Sequence, residues 1–146
     1  MKRLFIIAFT FALYSCSSMK KPIETSTPSA MIEATIGTTS LTGDPFDINA
    51  IWIEGNVMHL SISYSGGCGE HTFQCIGSPQ ISKSLPPKRS ISVIHTNHED
   101  FCKKRITDTL KINIEALAYK QEDGSEIILN VVNWNSPLLY RFTKTK

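Results

Sequence analysis

Apolar and polar residues alternate with a period of two through most of the chain from residue 46 onward. Phe46, Ile48, Ala50 and Trp52 share one face of a first run, and Asp47, Asn49, Ile51 and Ile53 share the other. Glu54-Gly55-Asn56 then reads as a tight turn in which Gly55 supplies a positive φ. On the return, Met58, Leu60, Ile62 and Tyr64 point one way and Val57, His59, Ser61 and Ser63 the other. The two runs predict a hairpin with one core face and one mostly polar face. Strand pattern resumes over residues 72–76, where Phe73 and Cys75 share a face, and over 90–95, where Ile91 and Val93 do. The cleanest alternation covers residues 107–114, with Leu110, Ile112 and Ile114 inward. Residues 126–132 and 137–142 give two further strands, and residues 31–36 a short first one. Residues 77–88 hold Pro79, Pro86 and Pro87 and read as a loop with a short edge segment at Ile81, residues 115–118 as a short crossover of one helical turn, and residues 122–125 as a turn. No stretch after the first 15 residues keeps a 3.6-residue period for more than one or two turns. The pattern predicts an all-β fold: an antiparallel β-sandwich, immunoglobulin-like, of about seven strands, with a small β-barrel as the runner-up.

The N-terminus follows another logic. Lys2 and Arg3 precede a ten-residue apolar run at 4–13, too short to span a bilayer and suited to an export signal. The run closes on Leu13-Tyr14-Ser15-Cys16, followed by Ser17 and Ser18. This resembles a bacterial lipoprotein signal, with Tyr14 as the departure, and the resemblance implies lipidation at Cys16. The expected organisation is a signal peptide at 1–15, the lipidated Cys16 with a flexible Ser/Thr/Pro-rich tether at 16–45, and the sandwich at 46–146. The expected location is outside the cytoplasm, lipid-anchored to a bacterial membrane, the outer one ahead of the inner. The membrane is then the first partner, and acyl chains at about 0.8 kcal/mol per buried methylene hold firmly.

Charge narrows the partners further. All 13 acidic residues follow Cys16, as do 13 of the 15 basic ones, so the part after the signal carries no net charge. That is poor ground for binding nucleic acid, and the run Lys103-Lys104-Arg105 reads as a solvated loop rim. Another envelope protein or a small ligand remains as a partner.

Candidate chemistry gathers in two polar segments that each interrupt strand pattern. Tyr64-Ser65-Gly66-Gly67-Cys68-Gly69-Glu70-His71 holds three of the eight glycines, and residues 95–102 carry His95, His98 and Cys102. The two are expected to meet. Outside the cytoplasm thiols tend to pair. With Cys16 lipidated, Cys68, Cys75 and Cys102 leave one disulfide and one free thiol. Cys68–Cys102 is the leading pairing, with Cys75 as the free thiol; Cys75–Cys102 and a cysteine-ligated metal site are the alternatives. Cys68 and His71 with His95 and Cys102 could converge on Zn(II) or Cu, or His71, His95 and His98 could bind a metal through imidazoles. The leading expectation is no cofactor. Cys68 or Cys102 with His71 or His95 would make a nucleophile and base, the ring oriented by Asp100 or Glu99, but the expected disulfide weakens this. No G-x-S-x-G, H-E-x-x-H or phosphate loop is present, and no catalytic residue is assigned. Trp134, between Asn133 and Asn135, is the aromatic expected to be exposed to a partner.

The Gly-Gly-Cys-x-x-His-x-Phe run at 66–73, His95, Cys102 and the N-terminal signal together resemble a group of small exported lipoproteins of Bacteroidota, over about residues 47–114. Cys75 departs from the acidic or apolar residue the group implies, which supports reading it as unpaired. The resemblance implies a location and a β fold but no activity. The overall expectation is a non-catalytic, membrane-tethered binding or structural lipoprotein with a disulfide-pinned Gly-rich loop. A periplasmic Zn/Cu-binding protein and a small envelope hydrolase are the alternatives.

Overall fold

A computed structural model describes residues 30–40 and 42–144. The signal segment, Cys16 and the first part of the tether lie outside the described residues. Those described form two stacked sheets. The strands are β1 (Ile32–Glu33), β2 (Thr35–Ile36), β3 (Asp47–Glu54), β4 (Val57–Gly66), β5 (Thr72–Ser82), β6 (Lys88–Thr96), β7 (Lys104–Asn113), β8 (Glu126–Val131) and β9 (Leu138–Arg141), with one 3-10 turn at Glu115–Leu117. One sheet runs β1-β7-β4-β3 and the other β2-β5-β6-β8-β9.

The β3–β4 hairpin forms as its alternation dictates, closing on Gly55 at φ +59. Met58, Leu60 and Ile62 are fully buried and meet Ile91, Ile127, Leu129 and Tyr140 in the core. Each such side chain contributes roughly 1.5–3 kcal/mol by leaving water.

Three features depart from the expected sandwich. Nine strands are described rather than about seven, because the segment at 31–36 splits at the buried Ala34 and serves both sheets in turn. The sheets are mixed rather than antiparallel. That split segment runs parallel to β7 and then to β5, and the crossover after β7 brings β8 in parallel to β6. The expected loop at 77–88 is strand well beyond the edge segment expected at Ile81. β5 continues to Ser82 through an irregularity between Gly77 and Ile81, and Pro79, which has no N–H to give, sits in that gap.

The two ends of the sandwich differ. At one, Gly66 lies opposite Lys104 and Thr72 opposite Thr96, and the β4–β5 and β6–β7 loops emerge together; we call this the disulfide end. At the other, Val57 lies opposite Asn113, Ser82 opposite Lys88 and Glu126 opposite Arg141. Met31 lines a depression there with Asn56, Asn113 and Thr143, so the described chain enters at this end. Arg89 is buried nearby, donating to the carbonyls of Leu117 and Ser78. Gly77 lets the 3-10 turn close down, since a methyl there would meet Leu117 and Arg89.

Candidate functional site

The disulfide end is built around a buried carboxylate. After β6 the chain turns through His98 (φ +46) and Glu99 (φ +64), a left-handed pair that side chains other than glycine rarely adopt. The turn is held by Asn97, whose Oδ1 accepts from the Glu99 N–H at 3.0 Å and whose own N–H donates to Asp44 Oδ2 at 2.8 Å. It aims Asp100 inward. Asp100 Oδ2 accepts from the successive N–H groups of Gly67, Cys68 and Gly69 at 2.7, 2.9 and 2.9 Å, and from His71 Nε2 at 3.1 Å. Oδ1 accepts from the Cys102 N–H at 2.8 Å.

The Gly-rich sequence makes this nest possible. Gly67 sits at φ +114, and a methyl on Gly66 would overlap the His71 ring. The N–H of Cys68, then that of Cys102, with Gly69 and the His71 ring adding, hold the Asp100 carboxyl well below the usual carboxylate range, although burial pushes it up. The same two loops are cross-linked by the Cys68–Cys102 disulfide, whose Cα atoms lie 5.9 Å apart across 34 residues.

Behind the nest the network continues through rings. His71 Nδ1 and His95 Nε2 share a hydrogen bond of 2.9 Å, the rings nearly parallel at 17°. Because a carboxylate only accepts, His71 Nε2 carries a proton. His95 is 1 % exposed and stacks on Phe73 at 4.6 Å between centroids, with Tyr64 and Phe46 against it. Burial first, then the facing His71, push its pKa down, partly offset by the carbonyls of Pro45 and Asp44 and the Asp44 carboxylate. His95 Nδ1 is sealed from solvent and makes no hydrogen bond of ordinary geometry. In front lies a half-open cleft of about 230 Å3, lined by Asp44, Tyr64, His95, Asn97, Asp100 and Arg105 among others.

The structure thus brings together four of the residues singled out in the sequence, Cys68, Cys102, His71 and His95. The two sulfurs are bonded to each other, and the facing ring nitrogens of the histidines share one proton. His98 leaves the group altogether and pairs with Thr72 Oγ1 at 2.9 Å on the surface. One ligand atom each from Cys68, Asp100 and Cys102 lies within 4.8 Å of the others, yet the Asp100 oxygens are already taken by N–H donors. Cys75 is a free thiol buried in β5, and burial pushes it up to about 12.

Trp134 does not present the exposed ring expected of it. It packs half-buried against the core, with its indole nitrogen buried and without a partner. The aromatic exposed at the disulfide end is Phe101, at 86 %. The sequence offered Asp100 only beside Glu99, as an acid that could orient a histidine ring; its place at the centre of the site was not legible, because a carboxylate in a polar run looks like solvated surface. The signal was there in a run of glycines, which bares successive N–H groups, tied by a cysteine pair to a loop carrying an acid.

The fold and site together define a small mixed-sheet β-sandwich whose paired loops are pinned by a disulfide and a nested carboxylate. No protein-family model and no curated protein matches the sequence. Among solved structures, the chain is similar to a NigD-like immunity protein from Bacteroides caccae, at 14 % identity and a TM-score of 0.55, covering 70 % of this chain and 52 % of that one. It is also similar to a protein of unknown function from Bacteroides vulgatus, at 11 % identity and a TM-score of 0.47, covering 80 % and 58 %. The chain spans little more than half the length of these proteins. The likeness to the Bacteroides caccae protein is one of fold. Among the described residues no helix is long and apolar enough to cross a membrane.

Proposed function

We propose that the chain is an exported, lipid-anchored protein of the bacterial envelope that binds another protein, without catalysis, through its disulfide end. The observation that carries this is the presentation of Phe101. It stands 86 % exposed between Asp100 and Cys102, two residues anchored by the nest and the disulfide. A rigid aromatic on a preorganised loop is what protein contacts favour, because little freedom remains to be lost on binding. Lys103 and Lys104 follow it, both exposed, and favour an acidic partner surface, while Arg105 beyond them is paired with Asp47 at 3.3 Å. A protein-binding role is in keeping with the name of the Bacteroides caccae protein, an immunity protein. The sequence pattern ending at Cys16 supports the anchor, and the Gly-Gly-Cys-x-x-His-x-Phe run supports the kinship with exported lipoproteins of Bacteroidota.

Hydrolysis is disfavoured by the same geometry. The Asp100–His71–His95 chain ends on a sealed nitrogen rather than on a nucleophile. The test is site-specific photo-crosslinking in envelope-producing cells. A photoreactive residue at position 101 is expected to give one discrete protein adduct, lost when Cys68 and Cys102 are both changed to Ala. A smear indistinguishable from that at an exposed control such as Gln121 would overturn the reading. Intact mass of the envelope-extracted protein checks the acyl chains on Cys16.

A further inference from the structure

Apolar side chains with nothing covering them gather at the entry end, and we propose that this face seats on a lipid bilayer. Leu85 is 99 % exposed at the loop between β5 and β6, and Tyr119 is half-exposed after the 3-10 turn. With Ile81 and Pro87 they line a concavity of about 440 Å3. Lys83 lines it too and Lys88 follows in the chain, both exposed, and the exposed Lys120 next to Tyr119 lies 4.0 Å from Glu122. The combination matches the chemistry of a membrane interface. An aliphatic tip enters the acyl boundary, an amphipathic ring sits at headgroup level, and ammonium groups reach anionic headgroups over their own apolar stems.

The place where the chain enters favours that occupant. Met31 lies at this end, and Cys16 precedes it by 15 residues. Fully extended, that stretch spans at most about 54 Å. The disulfide end lies further off by the length of β4, ten residues at about 3.3 Å each. The inference rests on Cys16 being the anchor. Once the chain is tethered, docking is intramolecular, so even a small patch with weak intrinsic affinity is occupied. Phe101, by contrast, stands alone among polar neighbours in the chain. Seating the entry end turns the disulfide end away from the membrane, toward a protein partner.

The test separates docking from anchoring. The full chain, with its Cys68–Cys102 disulfide intact, is coupled through Cys16 to a maleimide lipid in vesicles of phosphatidylethanolamine and phosphatidylglycerol, 3:1. Cys75 does not compete, being buried. Leu85→Trp and Phe101→Trp are compared for fluorescence quenching by brominated acyl chains; Trp52 and Trp134 contribute equally to both. Quenching at position 85 is expected to exceed that at 101 by at least twofold. Adding Tyr119→Asp to the Leu85→Trp chain should remove the excess without moving the unfolding midpoint. Equal quenching, or more at 101, overturns the proposal. So does shielding of the indole at position 85 before lipid is added together with a dimer mass, which would mean a second copy covers the patch. An unacylated Cys16 in cells would sink the anchor alone, since the coupled vesicles report docking directly.

Discussion

Each end of the sandwich buries one charged side chain and satisfies it with backbone. At the disulfide end the Asp100 carboxylate accepts from the N–H groups of Gly67, Cys68, Gly69 and Cys102. At the entry end the Arg89 guanidinium donates to the carbonyls of Leu117 and Ser78. The difference lies in what surrounds them. Asp100 is backed by a disulfide and two stacked imidazoles, so two loops are held in one conformation and an aromatic is carried on them. Arg89 pins only the floor beneath open loops, and Leu85 and Tyr119 stay uncovered. A buried ion can thus organise either a rigid presenting surface or the support under an adaptable one. The number of further constraints on the loop decides which.

The comparison breaks most strongly at the disulfide. Changing Cys68 and Cys102 to Ala should cost about 3–4 kcal/mol of unfolding free energy for a closed loop of this length. Denaturant titration would measure it, and amide exchange should rise at residues 67–71 and 97–102 while residues 83–85 are unaffected. Loss that is uniform along the chain would mean the two ends are not separable. At the other end, Arg89→Met leaves two carbonyls without their donor and should cost about 3 kcal/mol. Its exchange signature should centre on residues 78 and 115–119.

Gly66→Ala sharpens the picture within the disulfide end. The added methyl must displace the His71 ring, which should cost about 2 kcal/mol. NMR should show the His71 and His95 ring signals shifting together while those of Tyr140 stay put. A shift confined to His71 would deny the shared proton.

Acid should act on the disulfide end before the entry end. His95 has its pKa lowered in the fold, so below the ordinary value of 6.5 the unfolded chain binds a proton that the folded chain resists. Stability is therefore full above 6.5 and falls as pH drops from there toward the folded value. Asp100 is depressed as well, so its contribution is full above about 3.8 and is lost as pH falls below that. His95→Asn should flatten the limb that begins below pH 6.5, and leave the one that begins below about 3.8. An unchanged upper limb in thermal scans would assign it elsewhere. The smallest effect is at the entry surface. Leu85→Asp should change stability by no more than about 0.5 kcal/mol, since nothing folded covers that side chain.

The period-two pattern alone determined β3, β4 and β7, the β3–β4 hairpin with Gly55 at its turn, and the inward set Met58, Leu60, Ile62, Leu110 and Ile112. Those are local facts, because a pleated strand sorts its side chains by parity wherever it lies. Pairing direction was not local. The parallel seats of β1, β2 and β8 depend on where the chain re-enters the stack, and Pro79 reads as a loop until a register gap exists to hold it. The site divides the same way. Its cysteine and histidine segments stood out by composition, but an acid signals burial only once the N–H groups that would neutralise it are in place. Asp100 lies more than 30 residues from that Gly-rich loop in the chain, and only the tertiary structure brings the two together. Exposure of Phe101 and burial of Trp134 were decided there as well, by which loop the core left room to cover.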